Sequence, residues 1–221
     1  MSYAPVVLAA LLMAVLWWMY QDHHRKTRMG RSQLLDECVS LFESPKLSSN
    51  EAGYAGLEGI YRGFRVRMTL EEDHMTMRKI PSLWLHLEVQ AKDAATIGTL
   101  DMLMRPQNTE FYSPSWDWNG SVTPLPGWPS HAIYRTQGES PDLQAIDSCV
   151  RRLFTDEKAK ELLLMPRAVR LTYQAKQAER GEYLLLRMAA FDHAPLQQES
   201  VRGLLQQAIG IRQHLEGAQA S

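Results

Sequence analysis

Seven histidines, two cysteines and the carboxylates are the residues from which any catalytic or metal chemistry in this chain would be built. His23 and His24 are adjacent, so on a helix they project about 100° apart and cannot chelate one ion together. His86 lies in the segment LWLHLEV, residues 83–89, on the face that also carries Trp84 and Glu88. His74, His131, His193 and His214 are scattered, without the spacing of a zinc site. The acidic run Glu71-Glu72-Asp73, followed by His74, reads as a solvated turn at a strand end. Cys38 and Cys149 are isolated and lack a CxxC spacing, so they read as small buried hydrophobes. No Walker loop, GxGxxG, GxSxG or HExxH motif occurs. Gly53, Gly56, Gly59 and Gly63 fall where turns and strand edges need them. The sequence therefore offers no catalytic, cofactor-binding or metal-ligating set, and the expectation is that there is no cofactor.

Two segments suggest binding instead. Residues 105–130 contain Pro106, Pro114, Pro124, Pro126 and Pro129 among aromatic side chains. Prolines at that density exclude a helix or a central strand, and a long irregular loop in a compact domain is often functional. Phe111, Tyr112, Trp116, Trp118 and Trp128 are the partner-binding candidates, because Trp and Tyr dominate interface hot spots. The alternative is that these rings fold back as a second small core. Arg78-Lys79 and Pro81 lead into the strand at Leu83. They read as a connection, or as a contact for a phosphate headgroup or an acidic partner.

The N-terminus is the most strongly patterned part. Residues 3–20, YAPVVLAALLMAVLWWMY, carry no charge. As a helix they would be roughly 27 Å long, against a hydrocarbon core of about 30 Å. Nothing basic precedes them, and no small-residue cleavage site follows, so a retained anchor is expected rather than a signal peptide. Tyr3, Leu8, Leu12, Val15, Trp17, Trp18 and Tyr20 are the expected anchor residues, and Arg25, Lys26, Arg28 and Arg31 the expected contacts for anionic lipid headgroups. The basic cluster predicts an inner-membrane, single-pass topology, with the N-terminus out and the C-terminal domain cytoplasmic.

The segment through Arg31 carries a net charge of +3 and the remainder −4, which argues against nucleic-acid binding. Residues 33–43 show a helical stripe, with Ser32 as its cap, and Pro45 to Asn50 read as a linker. A hairpin is expected over 54–61 and 64–70 about Arg62-Gly63, then strands at 83–89 and 99–104 and a short one at 131–136, with period-two alternation in 64–70 and 83–89. A helix is expected at 141–154, strands at 161–165, 168–176 and 183–191, and a closing helix at 197–216. The expected fold class is α+β. One N-terminal transmembrane helix (1–22) and a basic, amphipathic segment (23–50) precede a cytoplasmic domain (51–221). That domain consists of antiparallel β-hairpins packed with two or three helices, and it reads as a duplicated helix-plus-three-strand unit with halves 51–137 and 138–221.

These readings favour a non-catalytic accessory, assembly or scaffolding subunit, with other membrane proteins of a multi-subunit complex as partners. The alternative is a membrane-tethered module for a lipid or other apolar ligand. A membrane-anchored enzyme ranks third.

Overall fold

The computed structural model describes residues 3–73, 80–90, 97–105, 111–186 and 189–219. The chain opens with α1 (Ala4–Ser32) and a short 3₁₀ helix (Asp36–Leu41). Strands β1 (Glu43–Ser49), β2 (Ala55–Tyr61), β3 (Phe64–Glu72), β4 (Ser82–Gln90), β5 (Leu100–Met104), β6 (Gly120–Ser121) and β7 (Ala132–Thr136) follow. Then come α2 (Leu143–Leu153), β8 (Ala159–Met165), β9 (Ala168–Gln177), α3 (Arg180–Leu186) and α4 (Gln198–Gln219). All nine strands join one sheet in the order β1-β2-β3-β4-β9-β8-β5-β7-β6, and each neighbouring pair is antiparallel.

Local chemistry explains the elements. The β2–β3 hairpin turns on Arg62 and Gly63, both at positive φ (49° and 77°), the backbone that a two-residue type I′ turn requires. Helix α2 is capped by Asp142, whose carboxylate accepts from the amides of Gln144 and Ala145. Along β3 and β4, alternate residues Val66, Met68, Leu70, Leu83, Leu85, Leu87 and Val89 are buried on one face. Helices α2 and α4 pack on each other, and α4 also packs on β4, β9 and the 3₁₀ helix. Ile146, Val150 and Leu153 of α2 and Val201, Leu205, Ala208 and Ile211 of α4 complete that core with Leu162, Leu164, Val169 and Leu171.

Several expectations change. The fold is dominated by a single large antiparallel sheet with helices, rather than by hairpins behind a membrane anchor. Among the described residues, no helix is long and apolar enough to cross a membrane. The transmembrane helix and the single-pass inner-membrane placement are therefore withdrawn. The part without aromatic or polar residues, 6–16, has eleven positions, or about 16 Å of helix, roughly half a hydrocarbon core. Helix α1 does not end at residue 22. It runs on through Asp22, Arg25, Lys26 and Arg28, and Ser32 lies at its C-terminus, where its hydroxyl donates to the Met29 carbonyl.

The segment 33–43, expected as one helix, is instead a turn at 33–35, the 3₁₀ helix and, after Phe42, the first residue of β1. The linker at 45–50 is the edge strand β1, which tolerates Pro45 because an edge leaves ladder positions free. The strand expected at 183–191 is replaced by α3. Strand β9 is already paired on both sides, by β4 and β8, so a further hairpin strand has no edge to join. The second copy of a duplicated unit accordingly lacks its third strand.

Leu87 is fully buried at the middle of β4. Leu87→Ala should lower stability by about 3 kcal/mol, measured by urea denaturation.

Candidate functional site

The outer face of the sheet carries charge in register. Glu58, Arg67, Glu88, Arg170, Leu163, Asp101 and Arg135 stand opposite one another in one line across β2, β3, β4, β9, β8, β5 and β7. Except at Leu163 the signs alternate, which is the favourable arrangement for cross-strand neighbours. Beside it runs a second line, Thr69, His86, Thr172, Glu161 and Leu103.

Its centre is sealed. Phe111 lies 5.5 Å from the Trp84 ring and 5.2 Å from the His86 ring, so the chain after β5 covers this part of the sheet. Underneath, His86 Nε2 is 3.0 Å from Glu71 Oε2, and its Nδ1 is 3.1 Å from Thr172 Oγ1. The Thr172 hydroxyl donates to Glu161 Oε2 at 2.8 Å, and Arg170 Nη2 donates to the same oxygen at 2.8 Å. A hydroxyl has one proton, so with Thr172 donating to Glu161, the His86 Nδ1 must be the donor to Thr172.

Asp101, wholly buried, accepts from Ser115 Oγ at 2.6 Å, and Ser115 is 2.8 Å from Ser113. This ties the loop to the sheet. Burial, followed by the charge of Glu161, pushes the Asp101 carboxyl up to about 7, against the Ser115 hydrogen bond and the charges of Arg135 and Arg170. Asp101 Oδ1 and Glu161 Oε1 have no hydrogen-bond partner among the described residues. Lys160, next to Glu161 in the chain, is buried, donates to the Arg105 carbonyl, and lies 6.0 Å from the Trp84 ring. Burial and then the charge of Arg105 lower it to about 8. No group of three or more metal-capable side chains converges among the described residues.

The partner-binding candidates divide. Phe111 and Trp128 are buried. Trp128 stacks near Tyr134 at 5.9 Å, and its Nε1 donates to Asp147 of α2 at 2.6 Å. Arg151 grips the same carboxylate and reaches the Pro126 carbonyl. Tyr112 and Trp116 are exposed, and Trp118 is half-buried. His74, Arg78 and Lys79 lie outside the described residues.

The anchor and headgroup candidates share α1. Tyr3, Leu8, Leu12, Val15, Trp17, Trp18 and Tyr20 are all more than half exposed. Arg25 is exposed, and Lys26 pairs with Asp22 at 2.7 Å. Arg28 and Arg31 instead clamp the helix to the β1–β2 turn, donating to the carbonyls of Glu51 and Ala52. Arg31 also lies 4.5 Å from the Tyr54 ring centroid and 3.6 Å from Glu72, which accepts the Tyr54 hydroxyl. Sequence reasoning missed this clamp and the outer-face network, because their members come from distant parts of the chain. The only local signal was His86 on the Trp84/Glu88 face.

No family profile matches the chain, and no curated protein matches it. The chain is similar in structure to the mycobacterial trehalose monomycolate transport factor A, TtfA. The TM-score is 0.42 at 10% identity, covering 84% of this chain and 94% of that one. A likeness of that size carries no assignment.

Asp101 binds its proton more tightly in the folded state than in the unfolded chain. Stability from this group is therefore greatest at low pH and falls as pH rises from the ordinary value near 3.8 toward about 7. Asp101→Asn should gain on wild type with rising pH, by on the order of 2 kcal/mol between pH 5 and 8, and the gap should then level off, as read by urea midpoints. Arg31→Ala should speed amide exchange across residues 22–32 while leaving exchange in β4 and β9 unchanged.

Proposed function

We propose that this chain is a non-catalytic accessory or scaffolding protein, which assembles with other proteins through the apolar half of α1. The carrying observation is the exposure of that half. Val7, Leu8, Leu11, Leu12, Met13, Val15, Leu16, Trp17, Trp18, Met19 and Tyr20 are each at least 52% exposed. Monomeric proteins rarely present a contiguous apolar surface on this scale, and such patches mark interaction sites. Each aliphatic side chain fully covered contributes about 1.5–3 kcal/mol, so a partner enclosing one stripe gains on the order of 10 kcal/mol before association costs.

Leu8, Leu12 and Val15, with Leu11 beside them, follow the three- and four-residue spacing by which helices pack on helices. The matching partner is therefore an apolar helical surface of another subunit. The clamp of Arg28 and Arg31 supports the reading, because it fixes the helix to the sheet domain and lets that domain orient what binds. On the outer face His86, Glu71, Thr172, Glu161 and Arg170 bind one another and Lys160 holds the Arg105 carbonyl, which suits an architectural role.

The full chain should co-purify stoichiometrically with specific partner proteins in mild detergent. The double variant Leu8→Glu, Leu12→Glu should lose them and keep the wild-type urea midpoint. Recovery of wild type as a free monomer, or capture by lipid vesicles with no protein partner, would overturn the proposal.

A further inference from the structure

Where α1 meets the domain, a cavity of about 550 Å³ opens between the helix, α3 and the segment 189–193. That volume lies within the range of small-molecule sites. Its floor is apolar and buried: Leu34, the Tyr54 ring and Phe191. Its rim is polar and exposed, with His23, Glu179, Glu182 and His193.

The wall at 189–193 is tied down on several sides. The Glu179 amide donates to the Ala190 carbonyl at 2.8 Å, and the Leu196 amide to the Leu34 carbonyl at 2.8 Å. Lys176 holds both Asp192, at 3.3 Å, and the Ala194 carbonyl. His193 packs so closely on Gly30 that an added Cβ would lie 2.6 Å from its ring. A glycine on α1 thus lets the wall close against the helix, and the space between is preformed. Buried apolar floor, polar rim and fixed walls together make a site for an amphiphile, with the chain inside and the head at the rim.

Charge selects the head. Arg31 lines the cavity but is already committed to Glu72 and the Tyr54 ring. Asp192 is answered by Lys176. Glu179 and Glu182 remain at the mouth, three residues apart and therefore on one side of the chain as it enters α3. Leu184 and Leu185 of the same short helix are exposed. We infer that this cavity binds a single-chain amphiphile with a cationic head, its alkyl chain on Leu34, Tyr54 and Phe191 and its head between Glu179 and Glu182. The site is independent of the assembly surface on residues 7–20, so either can fail without the other.

The test is calorimetric titration of the full chain with decyltrimethylammonium, decanol and decanoate, each below its aggregation threshold. Saturable one-to-one binding is expected, tightest for the ammonium and at least tenfold weaker for decanoate. Glu179→Gln with Glu182→Gln should remove the preference for the ammonium over decanol. Ala190→Trp, which fills the cavity, should weaken all binding at least tenfold, and Thr27→Phe fills it from α1 should the first variant fold poorly. Decanoate binding as tightly as the ammonium, no saturable binding, or full binding by both filled variants would each overturn the inference. The last outcome would place the amphiphile on the exposed face of α1.

Discussion

Strand β4 pairs with β9 along nine registered positions, from Ser82 opposite Gln177 to Gln90 opposite Ala168. Residues 91–167 intervene, so closing this pair carries a large loop entropy, and the ladder and its two faces must offset it. On the inner face, Leu85, Leu87, Val89, Val169 and Leu171 bring their side chains under α4. On the outer face the same register sets His86 opposite Thr172 and Glu88 opposite Arg170. Strands β1 to β3 hang on β4, and β8, β5, β7 and β6 hang on β9. Without that one junction there would be two small sheets and no continuous floor for α4.

The two faces then solve different problems. The inner face buries aliphatic side chains and gains from their removal from water. The outer face carries too many ionisable groups for that, and its centre is nevertheless covered by Phe111 and the following loop. Alternating signs across the strands, together with hydrogen bonds through Thr172 and Ser115, offset part of the desolvation cost. The compensation is incomplete at Asp101 and Glu161, and Asp101 answers by holding its proton more tightly. Such a network fixes strand register, because a one-residue slip would set every charge on the wrong face.

Helix α1 stands outside this scheme. Its C-terminal part belongs to the domain through Arg28, Arg31 and the Gly30–His193 contact, whereas the large apolar side chains between Val7 and Tyr20 are more than half exposed. A helix gains most of its stability from packing an apolar face. On the proposed reading, a partner protein supplies that packing for the exposed half.

Period-two alternation in the sequence was enough to locate β3 and β4, and period 3.6 enough to locate α2 and α4, because each pattern is local and follows from side-chain direction. The same patterns failed for β1, whose Glu43–Ser49 has no buried face to alternate, and for α3, whose Tyr-Leu-Leu-Leu run fits strand or helix equally. Its state was decided by β9 having no free edge. The uncharged run at 3–20 was read as a transmembrane anchor, and no described helix is long and apolar enough to be one. Its aliphatic part is short, and its helix continues into the charged clamp. Apart from His86 on the Trp84/Glu88 face, the outer-face network was hidden, since its carboxylates and arginines lie on seven strands. Sequence periodicity determines which residues share a face of one strand. Only tertiary pairing decides which strands are neighbours, and hence which charges meet.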